Sequence, residues 1–391
     1  LIDLINESGE TVLSIDIPSG INADTGQVMG VAVEADATIT FGHLKAGQLH
    51  YPGAQHCGEI TLIDIGLPNP DALPECLIDL VPTMQEPQWW LASHQQVADW
   101  LISRRANAHK GTFGRLLCIA GSASMSGAAM LSSRTALRTG SGIAVLATAK
   151  SVIDHLPPEE IIYRRLSETE FGTINHAAIS ELETEIDQCQ AILIGPGLSS
   201  NVQTIKTVQE LLSAVKKPCI VDADALNALA QSKQFVLGSP KTTVFTPHPK
   251  ELSRLLGICV EEIQQDRTKA AEGASKKFGC NIVLKGAHTV VATVEHGTYI
   301  IPGGNSGMAT AGAGDVLSGV IGSFLAQGMD AGFAAIAGAY IHAAAGDLAA
   351  FSHGEDGMVA SNIMEAVPVV LADLRADEFA GTELEQMILS I

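Results

Sequence analysis

The sequence predicts an α/β fold with a mostly parallel central sheet. From about residue 89 onward, short and almost continuously apolar segments alternate with amphipathic, helix-like segments, and turn residues separate them. A strand that is apolar throughout is buried on both faces, as in a parallel sheet covered by helices on either side. The length of 391 residues is enough for two or three folding units, at roughly 150 residues each.

The first 68 residues contain three predicted strands, each short, β-rich and bounded by turn residues. They are Thr11–Ile17, Ala37–Phe41 and Glu59–Ile65. Three strands in so short a segment cannot close a stable α/β domain by themselves. We therefore expect residues 1–68 to be part of a domain.

A proline-rich segment marks the predicted domain boundary. From Gly66 to Pro87 the chain carries five prolines, which exclude a regular helix or an interior strand. We predict a linker at 69–88 and a second domain at 89–378. Its predicted strands are Arg115–Ala120, Ile143–Ala147, Ala191–Gly195, Pro218–Asp222, Thr243–Thr246, Asn281–Lys285, Thr289–Val294 and Thr298–Ile301, and its predicted helices lie near 97–104, 126–139, 174–187, 201–215, 225–231, 248–256, 260–278, 313–327, 330–351 and 361–375.

Composition excludes several classes of function. The formal charge of -20 repels nucleic-acid phosphates and anionic lipid headgroups, which argues against nucleic-acid and membrane-surface partners. Polar residues interrupt the apolar stretch 316–350, so we expect no membrane span. The seven cysteines lack CxxC spacing and are expected to be reduced thiols of a cytoplasmic protein. Because Leu1 begins the chain without a signal-peptide pattern, we expect a fragment or a missing natural start.

The strongest motif is a glycine-rich turn, Gly312-Ala313-Gly314-Asp315, that leads into an apolar helix. Small residues let backbone N–H groups at a helix N-terminus converge on an anion, which the helix dipole also favours. A carboxylate there would be repelled by a bare phosphate, so Asp315 is interpreted as a base beside a transferring group. The alternative is that Asp315 caps the helix in a tight helix–helix contact.

Two other strand ends carry residues suited to nucleotide chemistry. Lys285 ends a strand where an ammonium neutralises phosphate oxygens, and Gly286 and Ala287 let a nucleotide lie against the backbone. The alternative is a plain hairpin with a solvated lysine. His248 stands between two prolines, which lower the entropy cost of presenting its imidazole. The alternative there is a capping or packing histidine.

Further loops at strand ends are less specific. Asp222 and Asp224 either bind Mg²⁺ through water or cap the next helix, and capping is favoured for Asp224. The small-residue loops at 119–129 and 194–198 permit close approach of a ligand. Neither loop fits the GxGxxG pattern of a dinucleotide site, and GxxxxGK[ST] is absent from the sequence.

Taken in order, these motifs resemble the ribokinase-like dehydratases that repair hydrated NAD(P)H. The resemblance runs from about Ala92 to Val370 and rests on HKGTFGRLLCIAGS, SGAAMLSSRTALRTGSG, ILIGPGLS, VDADALNAL, TPHPKELSRLLG, VLKGAHTVV and GMATAGAGDVLSGVIG. Within the first 68 residues, SIDIPSGINADTG, ADATITFGHLKAG and GEITLIDIGLP resemble the carboxyl-terminal part of an NAD(P)H-hydrate epimerase domain. In this order they resemble the bacterial family of bifunctional NAD(P)H-hydrate repair enzymes.

This resemblance implies a ribokinase-like αβα sandwich preceded by a truncated Rossmann-like segment. It implies that the S epimer of NADHX or NADPHX is returned to NAD(P)H, with Mg²⁺ and with ADP in bacteria or ATP in eukaryotes. Asp315 would deprotonate the C6 hydroxyl for attack on the terminal phosphoryl group. The implied AMP-binding residues are Lys285, Gly286, Ala287, His288, Thr289 and Gly314, and the implied substrate-binding residues are Ala128, Gly197, His248 and Asp315.

The epimerase resemblance is incomplete. Asp16 matches a substrate-binding aspartate and Ser19 matches a potassium ligand, but the Asn-Gly-Gly-Asp-Gly type of loop does not occur in these 391 residues. We therefore expect an incomplete K⁺ site and no epimerase activity. The family also implies a homo-oligomer, a tetramer.

Two other functions remain open at this point. An ATP-dependent kinase of a small hydroxylated metabolite or vitamin precursor shares the anion hole and the GxGD base, and it would retain a phosphorylated product. A nucleotide sensor would bind ADP without releasing phosphate.

Overall fold

The computed structural model describes residues 1–67, 89–232 and 234–376, which form two compact units. Among these residues, those up to Trp90 and residues 265–267 lie in the first unit, and all others lie in the second. Trp90, Gln265 and Arg267 are nevertheless end residues of one strand and two helices that otherwise belong to the second unit. The predicted linker at 69–88 lies outside the described residues, so its role as a linker stays a prediction.

The first unit contains a three-stranded parallel sheet in the order β1-β2-β3. Each predicted strand is present, although β1 and β3 are shorter than expected. The helices escaped prediction because four or five residues are too few to show helical periodicity. The elements are β1 (Leu13–Ile15), β2 (Ala37–Phe41), β3 (Glu59–Ile63), α1 (Ile2–Asn6), α2 (Ala46–Leu49) and α3 (Gly53–Cys57).

The second unit has a ten-stranded sheet, and helices connect its successive strands except the last three, which follow one another directly. Its strands are β4 (Trp90–Leu91), β5 (Arg115–Ile119), β6 (Ile143–Ala149), β7 (Ile162–Leu166), β8 (Ala191–Ile194), β9 (Cys219–Val221), β10 (Thr243–Phe245), β11 (Asn281–Leu284), β12 (Val290–Ala292) and β13 (Thr298–Ile300). Its helices are α4 (His94–Trp100), α5 (Ser126–Arg138), α6 (Lys150–Ile153), α7 (Ala178–Glu181), α8 (Glu183–Gln188), α9 (Val202–Ala214), α10 (Asp224–Ala230), α11 (Pro249–Leu256), α12 (Val260–Gln265), α13 (Arg267–Phe278), α14 (Ala313–Ala326), α15 (Ala331–His353) and α16 (Ala360–Leu374).

The sheet order is β4-β13-β12-β11-β10-β9-β8-β5-β6-β7. Pairing is parallel from β11 to β7 and antiparallel only at β11–β12 and β12–β13 among the strand pairs with a described register. The predicted mostly parallel sheet is confirmed. From β5 the chain builds outward to β6 and β7, and then it returns to build β8 to β11 on the other side. The adjacent strands β5 and β8 therefore mark a topological switch point.

The core follows from the apolar strands. Every residue of β8, β9, β10 and β11 is buried. Among the described helices, α15 is long and apolar enough to cross a membrane by length and composition, and 72% of its most apolar window is buried. That burial is the pattern of a core helix, and the sequence predicts no span there.

Several element boundaries differ from the predictions. The helix predicted at 97–104 is α4, which begins earlier because Ser93 and Gln96 form a reciprocal capping box. The segments predicted as helices at 174–187 and 260–278 are each two helices. Strand β7 was not predicted, because this edge strand exposes most of its side chains and carries Arg164 and Arg165 instead of an apolar run.

Candidate active site

The loops that follow β5 and β8 meet at the switch point, where open α/β sheets bind ligands. The Gly121 N–H donates a hydrogen bond to the Pro196 carbonyl oxygen over 2.7 Å. A Cβ atom on Gly197 would lie 3.1 Å from the Ala128 Cβ and 2.9 Å from the Met125 Cβ. Gly197 has φ +65°, so a turn that suits glycine brings two predicted substrate-binding positions side by side.

The loop after β8 also contacts the end of β9. A Cβ on Gly195 would lie 1.8 Å from the Asp222 carbonyl oxygen, which only a glycine tolerates. The Ser199 N–H donates to Asp224 Oδ2 over 2.7 Å. Asp224 is the first residue of α10 and makes no capping hydrogen bond to its own helix. The capping role favoured for Asp224 is therefore wrong, because its carboxylate binds the neighbouring loop instead.

Helix α14 begins at the glycine-rich turn. Gly312 precedes it with φ +93°, a conformation that favours glycine, and Asp315 is the third residue of the helix. No side chain caps this helix, so the alternative of a capping Asp315 does not hold. A Cβ on Gly312 would lie 3.9 Å from Asp315 Oδ2. The Asp315 carboxylate therefore points back toward the N-terminus of α14.

Lys285 lies beside this turn and is not a solvated hairpin lysine. Its side chain is 20% exposed, and its Nζ lies 2.9 Å from Asp222 Oδ1 and 3.8 Å from Glu251 Oε2. A Cβ on Gly314 would lie 3.3 Å from Lys285 Nζ and 3.9 Å from Asp222 Oδ2. The ends of β9 and β11 and the first turns of α11 and α14 thus converge around one ammonium group.

The carboxyl groups around Lys285 have altered acidity. Burial, with a smaller contribution from the charge of Asp222, raises the pKa of Asp315 to about 7, against the attraction of Lys285. Burial also raises the pKa of Glu251 to about 7. For Lys285, burial alone would lower the pKa, but the surrounding carboxylates, Asp222 first, raise it. Carboxyl groups with a raised pKa next to a charged lysine are typical of sites that catalyse proton transfer.

His248 is the N-cap residue of α11. Its Nδ1 accepts hydrogen bonds from the Lys250 N–H over 3.1 Å and the Glu251 N–H over 3.2 Å, while the His248 N–H donates to Glu251 Oε2 over 2.9 Å. Burial and the charge of Lys285 lower the pKa of His248. The capping alternative therefore describes this histidine, and its 45% exposed side chain also leaves a surface that a ligand can contact.

The turn after β11 carries the remaining predicted nucleotide-binding residues. Gly286 and Ala287 are exposed, whereas His288 is buried and Thr289 is partly buried. Gly286 has φ +147° and His288 has φ +48°, and the Thr289 hydroxyl donates to the Gly286 carbonyl oxygen over 3.1 Å. The turn thus presents a backbone without large side chains at two successive positions.

Sequence reasoning missed three polar residues around Lys285 and the glycine-rich turn that begins α14. Glu251 and Ser318 were not singled out, although the Ser318 hydroxyl donates to Asp222 Oδ2 over 2.7 Å. Asp347 of α15 accepts hydrogen bonds from Gly304 N–H over 2.8 Å and from the Asn305 side-chain amide over 2.9 Å, which fixes the loop ahead of α14. The His-x-x-Glu spacing of a capping box could have indicated Glu251. No sequence signal indicated Asp347.

The epimerase-like residues belong to the first unit. Asp16 has φ +69°, and its carboxylate accepts hydrogen bonds from Lys45 Nζ and, over 3.2 Å, from the Thr40 hydroxyl. The hydrogen bond from Lys45 lowers the pKa of Asp16, against the opposing effect of burial. Ser19 is exposed, and its carbonyl oxygen accepts the Val33 N–H over 2.9 Å. The role of Ser19 as a potassium ligand stays a prediction.

The residues present do not form a protein-only metal site. Across residues 1–67, 89–232 and 234–376, no group of three or more His, Cys, Asp or Glu side chains could hold a metal ion. Both Asp222 oxygens have partners on Lys285 and Ser318, and the Asp222 side chain is 1% exposed. Asp222 therefore has a partner on each oxygen, and the alternative that it binds Mg²⁺ through water stays a prediction.

Fold and site together define a ribokinase-like αβα protein. A ribokinase-like superfamily protein from Enterococcus faecalis superposes with a TM-score of 0.64 and 25% identity, covering 74% of this chain and 98% of its own. An ADP/ATP-dependent NAD(P)H-hydrate dehydratase from Bacillus subtilis, co-crystallised with ATP and Mg²⁺, gives a TM-score of 0.63 and 30% identity over 74% of this chain and 99% of its own. The ribokinase-like fold predicted for the second unit is confirmed.

Comparison with family models and with curated relatives identifies the family. The NAD(P)H-hydrate dehydratase family model matches residues 116–369, and that of the YjeF-related protein N-terminus matches residues 1–47. A bifunctional NAD(P)H-hydrate repair enzyme from Thermofilum pendens is 39% identical over 379 residues, which cover 96% of this chain and 70% of the relative. The chain belongs to the NAD(P)H-hydrate dehydratase family, within the bifunctional NAD(P)H-hydrate repair enzymes.

Proposed function

We propose that the second unit returns (S)-NADHX and (S)-NADPHX to NAD(P)H while converting ADP to AMP and phosphate. The observation that carries this proposal is the Asp315 carboxyl, held in the first turn of α14 beside the paired Lys285, with a pKa of about 7. A base works best when its pKa lies near the working pH. Asp315 would remove the proton from the C6 hydroxyl of the hydrate.

The phosphoryl group then moves in a balanced sequence. The C6 oxygen forms a bond to the terminal phosphorus of ADP as the bond from that phosphorus to the AMP oxygen breaks. The ring-nitrogen lone pair next expels phosphate from C6, and loss of a proton from C5 forms the C5–C6 double bond. The net change is hydrate plus ADP to NAD(P)H, AMP and phosphate, so that nucleotide cleavage drives a dehydration.

The first turn of α14 suits the migrating phosphoryl group. Backbone N–H groups from Gly312 to Gly314 lie at the start of a 14-residue helix where no side chain caps them, although the Ala313 N–H also donates to the Thr310 carbonyl oxygen over 3.4 Å. The helix dipole favours an anion there. A fixed set of donors stabilises charge that develops in the transition state. Lys285 adds a positive charge next to Gly314, and a nucleotide phosphate can replace a carboxylate as its partner.

The two ligands have separate places along the sheet edge. We assign the hydrated nicotinamide nucleotide to the switch point, where Ala128 and Gly197 adjoin and the exposed part of His248 can contact it. We assign the AMP moiety to residues 285–289, where the exposed backbone of Gly286 and Ala287 supplies a flat contact surface. Mg²⁺ bound to the nucleotide would neutralise phosphate charge, and the described residues require no separate protein site for it.

We further propose that ADP is the better phosphate donor, because the motif order resembles the bacterial fusion. The Bacillus subtilis relative is called ADP/ATP-dependent, so both nucleotides belong in the test. Initial rates with each nucleotide and hydrated NADH, followed by recovery of dihydronicotinamide absorbance, compare them directly. Equal or faster turnover with ATP would reject the preference and leave the dehydratase function intact.

For the first unit we propose that these 391 residues do not epimerise the hydrates by themselves. The carboxylate of Asp16 already pairs with Lys45, and the sequence lacks the Asn-Gly-Gly-Asp-Gly type of loop. Chiral separation of the R and S hydrates after incubation tests this, and interconversion above the uncatalysed rate would reject it.

The family resemblance also supports a cytoplasmic homo-tetramer, for which light scattering of the purified chain is the test.

The dehydratase proposal has one decisive experiment. The chain is incubated with hydrated NADH and ADP, and NADH, AMP and phosphate are quantified together. Equal amounts of all three are expected. A retained phosphorylated product would identify a kinase instead, and nucleotide binding without release of phosphate would identify a sensor.

A further inference from the structure

Asp222 is a buried carboxylate that the proposed chemistry does not use directly. Its side chain is 1% exposed, and each oxygen has a defined donor: Lys285 Nζ at 2.9 Å from Oδ1 and the Ser318 hydroxyl at 2.7 Å from Oδ2. Burying an ionised carboxylate is expensive unless it is paired and hydrogen-bonded. Asp222 meets both conditions through residues on β11 and α14, the elements that also carry the proposed site.

The position of Asp222 relates it to the proposed base. Ser318 follows Asp315 by three residues in α14, a spacing that places both side chains on one face of a helix. A Cβ on Gly314, the residue before Asp315, would lie 3.9 Å from Asp222 Oδ2. Asp222 therefore lies under the first turn of α14, between the Lys285 ammonium and the segment that carries Asp315.

The charged groups here are unequal in number. Lys285 interacts with Asp222, Glu251 and Asp315, and Arg254 of α11 also acts on Glu251. Asp224 of α10 adds a further carboxylate that acts on Asp315. His342 of α15 adds no charge near neutral pH, because burial lowers its pKa to about 4 and its ring nitrogen bonds the Ala313 carbonyl oxygen over 2.9 Å. The carboxylate that pairs with Lys285 therefore determines how strongly this ammonium group lowers the basicity of the other carboxylates.

We propose that Asp222 is a positioning residue that engages the Lys285 ammonium, with Ser318 fixing its other oxygen, so that Asp315 stays unpaired and basic. The inference rests on the proposed function of Asp315. Without the charge of Asp222, Lys285 would lose its nearest carboxylate partner and would attract Asp315 more strongly, and a carboxylate paired with a lysine is a weaker base. Asp222 would thus act on catalysis through Lys285, without touching the substrate.

The variant Asp222→Asn separates charge from shape. The amide oxygen can still accept from Lys285, and the amide nitrogen can donate to the Ser318 oxygen, so both contacts remain possible. We expect the acid limb of the kcat profile to move down by about one pH unit, because the Asp315 carboxyl loses a neighbouring negative charge. The plateau of kcat should fall about 10-fold, because the base is weaker, whereas KM should change little.

A direct titration of Asp315 gives a readout that does not need turnover. The carboxyl signal of Asp315 is assigned by infrared difference or carbon NMR against Asp315→Asn, in the nucleotide-free protein. In Asp222→Asn it should titrate at lower pH than in the parent chain. The variant Ser318→Ala keeps the Asp222 charge and removes only the hydrogen bond to its second oxygen, so its Asp315 titration should move less than that of Asp222→Asn.

Each outcome decides the inference. A lower kcat in Asp222→Asn with neither the pH profile nor the Asp315 titration moved would show a merely structural role and overturn it. If Asp222→Asn does not fold, Lys285→Met provides the second test: the Asp315 titration must then move to higher pH, and an unchanged titration overturns the inference. A parent chain without dehydratase activity would instead reject the proposed function, and the titration would still decide the role of Asp222.

Discussion

Two aspartates, one in each unit, show how surroundings set the chemistry of a single side chain. Asp16 of the first unit is 45% exposed and bonded to Lys45, which lowers its pKa. Asp315 of the second unit is partly buried, and this desolvation raises its pKa to about 7. A carboxylate that stays ionised suits binding, whereas one that exchanges a proton near neutral pH suits general base catalysis.

The sheets that carry these aspartates differ in the same way. In the first unit, Leu13, Ile15 and Ile63 of the three-stranded sheet are 52%, 62% and 40% exposed. In the second unit, β8 to β11 are buried at every residue. Desolvation is what raises the pKa of a carboxyl group. The proposed base therefore belongs to the unit whose central strands are fully buried.

The largest expected effect comes from removing the base. Asp315→Asn keeps the shape of the side chain but cannot accept the proton, so kcat should fall by about 10²–10⁴-fold while the affinity for ADP stays nearly unchanged. The matched control is Asp16→Asn in the first unit, which should leave dehydratase turnover at the parent level. Steady-state kinetics and calorimetric titration with ADP measure both variants. Parent-level turnover in Asp315→Asn would eliminate the proposed role.

A second prediction tests the switch point against simple backbone strain. Gly197→Ala adds a methyl group 2.9 Å from Met125 Cβ at a φ of +65°, and it should raise KM for the hydrate by about 10-fold and cost about 1–2 kcal/mol of unfolding free energy. The control Gly257→Ala has a similar φ of +75° but no atom within 4 Å. It should lose less stability, because its methyl group meets no neighbouring atom, and its KM should be unchanged. An equal change of KM in both variants would contradict a ligand site at Gly197.

Some of these features could be predicted from the sequence and others could not. The parallel sheet could be predicted because β8 to β11 are apolar throughout, and the GAGD turn because only small residues fit there. The pairing of Lys285 with Asp222 could not be predicted, because 63 residues separate them and only the sheet order brings β9 and β11 to one edge. The interaction of Asp224 with Ser199 was missed for the same reason, because it is a tertiary contact. The edge strand β7 was missed because it lacks the apolar run that marks a buried strand.

A third prediction uses the opposite pKa shifts of the two aspartates. The pKa of Asp315 is 3.8 in its ordinary state and about 7 in the folded protein. Between these two pH values the folded protein keeps a proton on Asp315 that the unfolded chain has lost, so the free energy of unfolding falls as the pH rises through that window. Asp315→Asn removes this penalty. It should melt about 2–5 °C above the parent at about pH 8, and the difference should vanish near about pH 4.

The matched variant for that measurement is again Asp16→Asn. Because Lys45 lowers the pKa of Asp16, its ionised form is stabilising above its ordinary pKa, and the variant should show no gain in melting temperature at about pH 8. Scanning calorimetry across pH measures both variants. A gain in Asp16→Asn equal to that in Asp315→Asn would show that the two environments do not differ as described.

The smallest effect is expected from removing the first unit altogether. Asp315, Lys285, His248 and Gly197 all lie in the second unit, so a chain beginning near Glu86 should keep full dehydratase activity on the S epimer. Such a chain retains the edge strand β4, after which the Ala92 N–H donates to the Ile300 carbonyl oxygen over 3.1 Å.

A chain beginning at residue 102 makes the matched comparison. It loses β4 and also α4, whose Trp100 ring stacks on Phe333 with centroids 4.5 Å apart. Loss of this aromatic packing and of the edge strand should cost about 3–5 kcal/mol of unfolding free energy. The shorter chain should therefore have a lower melting temperature than the chain that begins near Glu86. The fraction of it that folds still contains the site residues. Activity and thermal melts of both chains measure this. A large loss of turnover in the chain that begins near Glu86, with its melting temperature unchanged, would show that the first unit contributes to the dehydratase reaction.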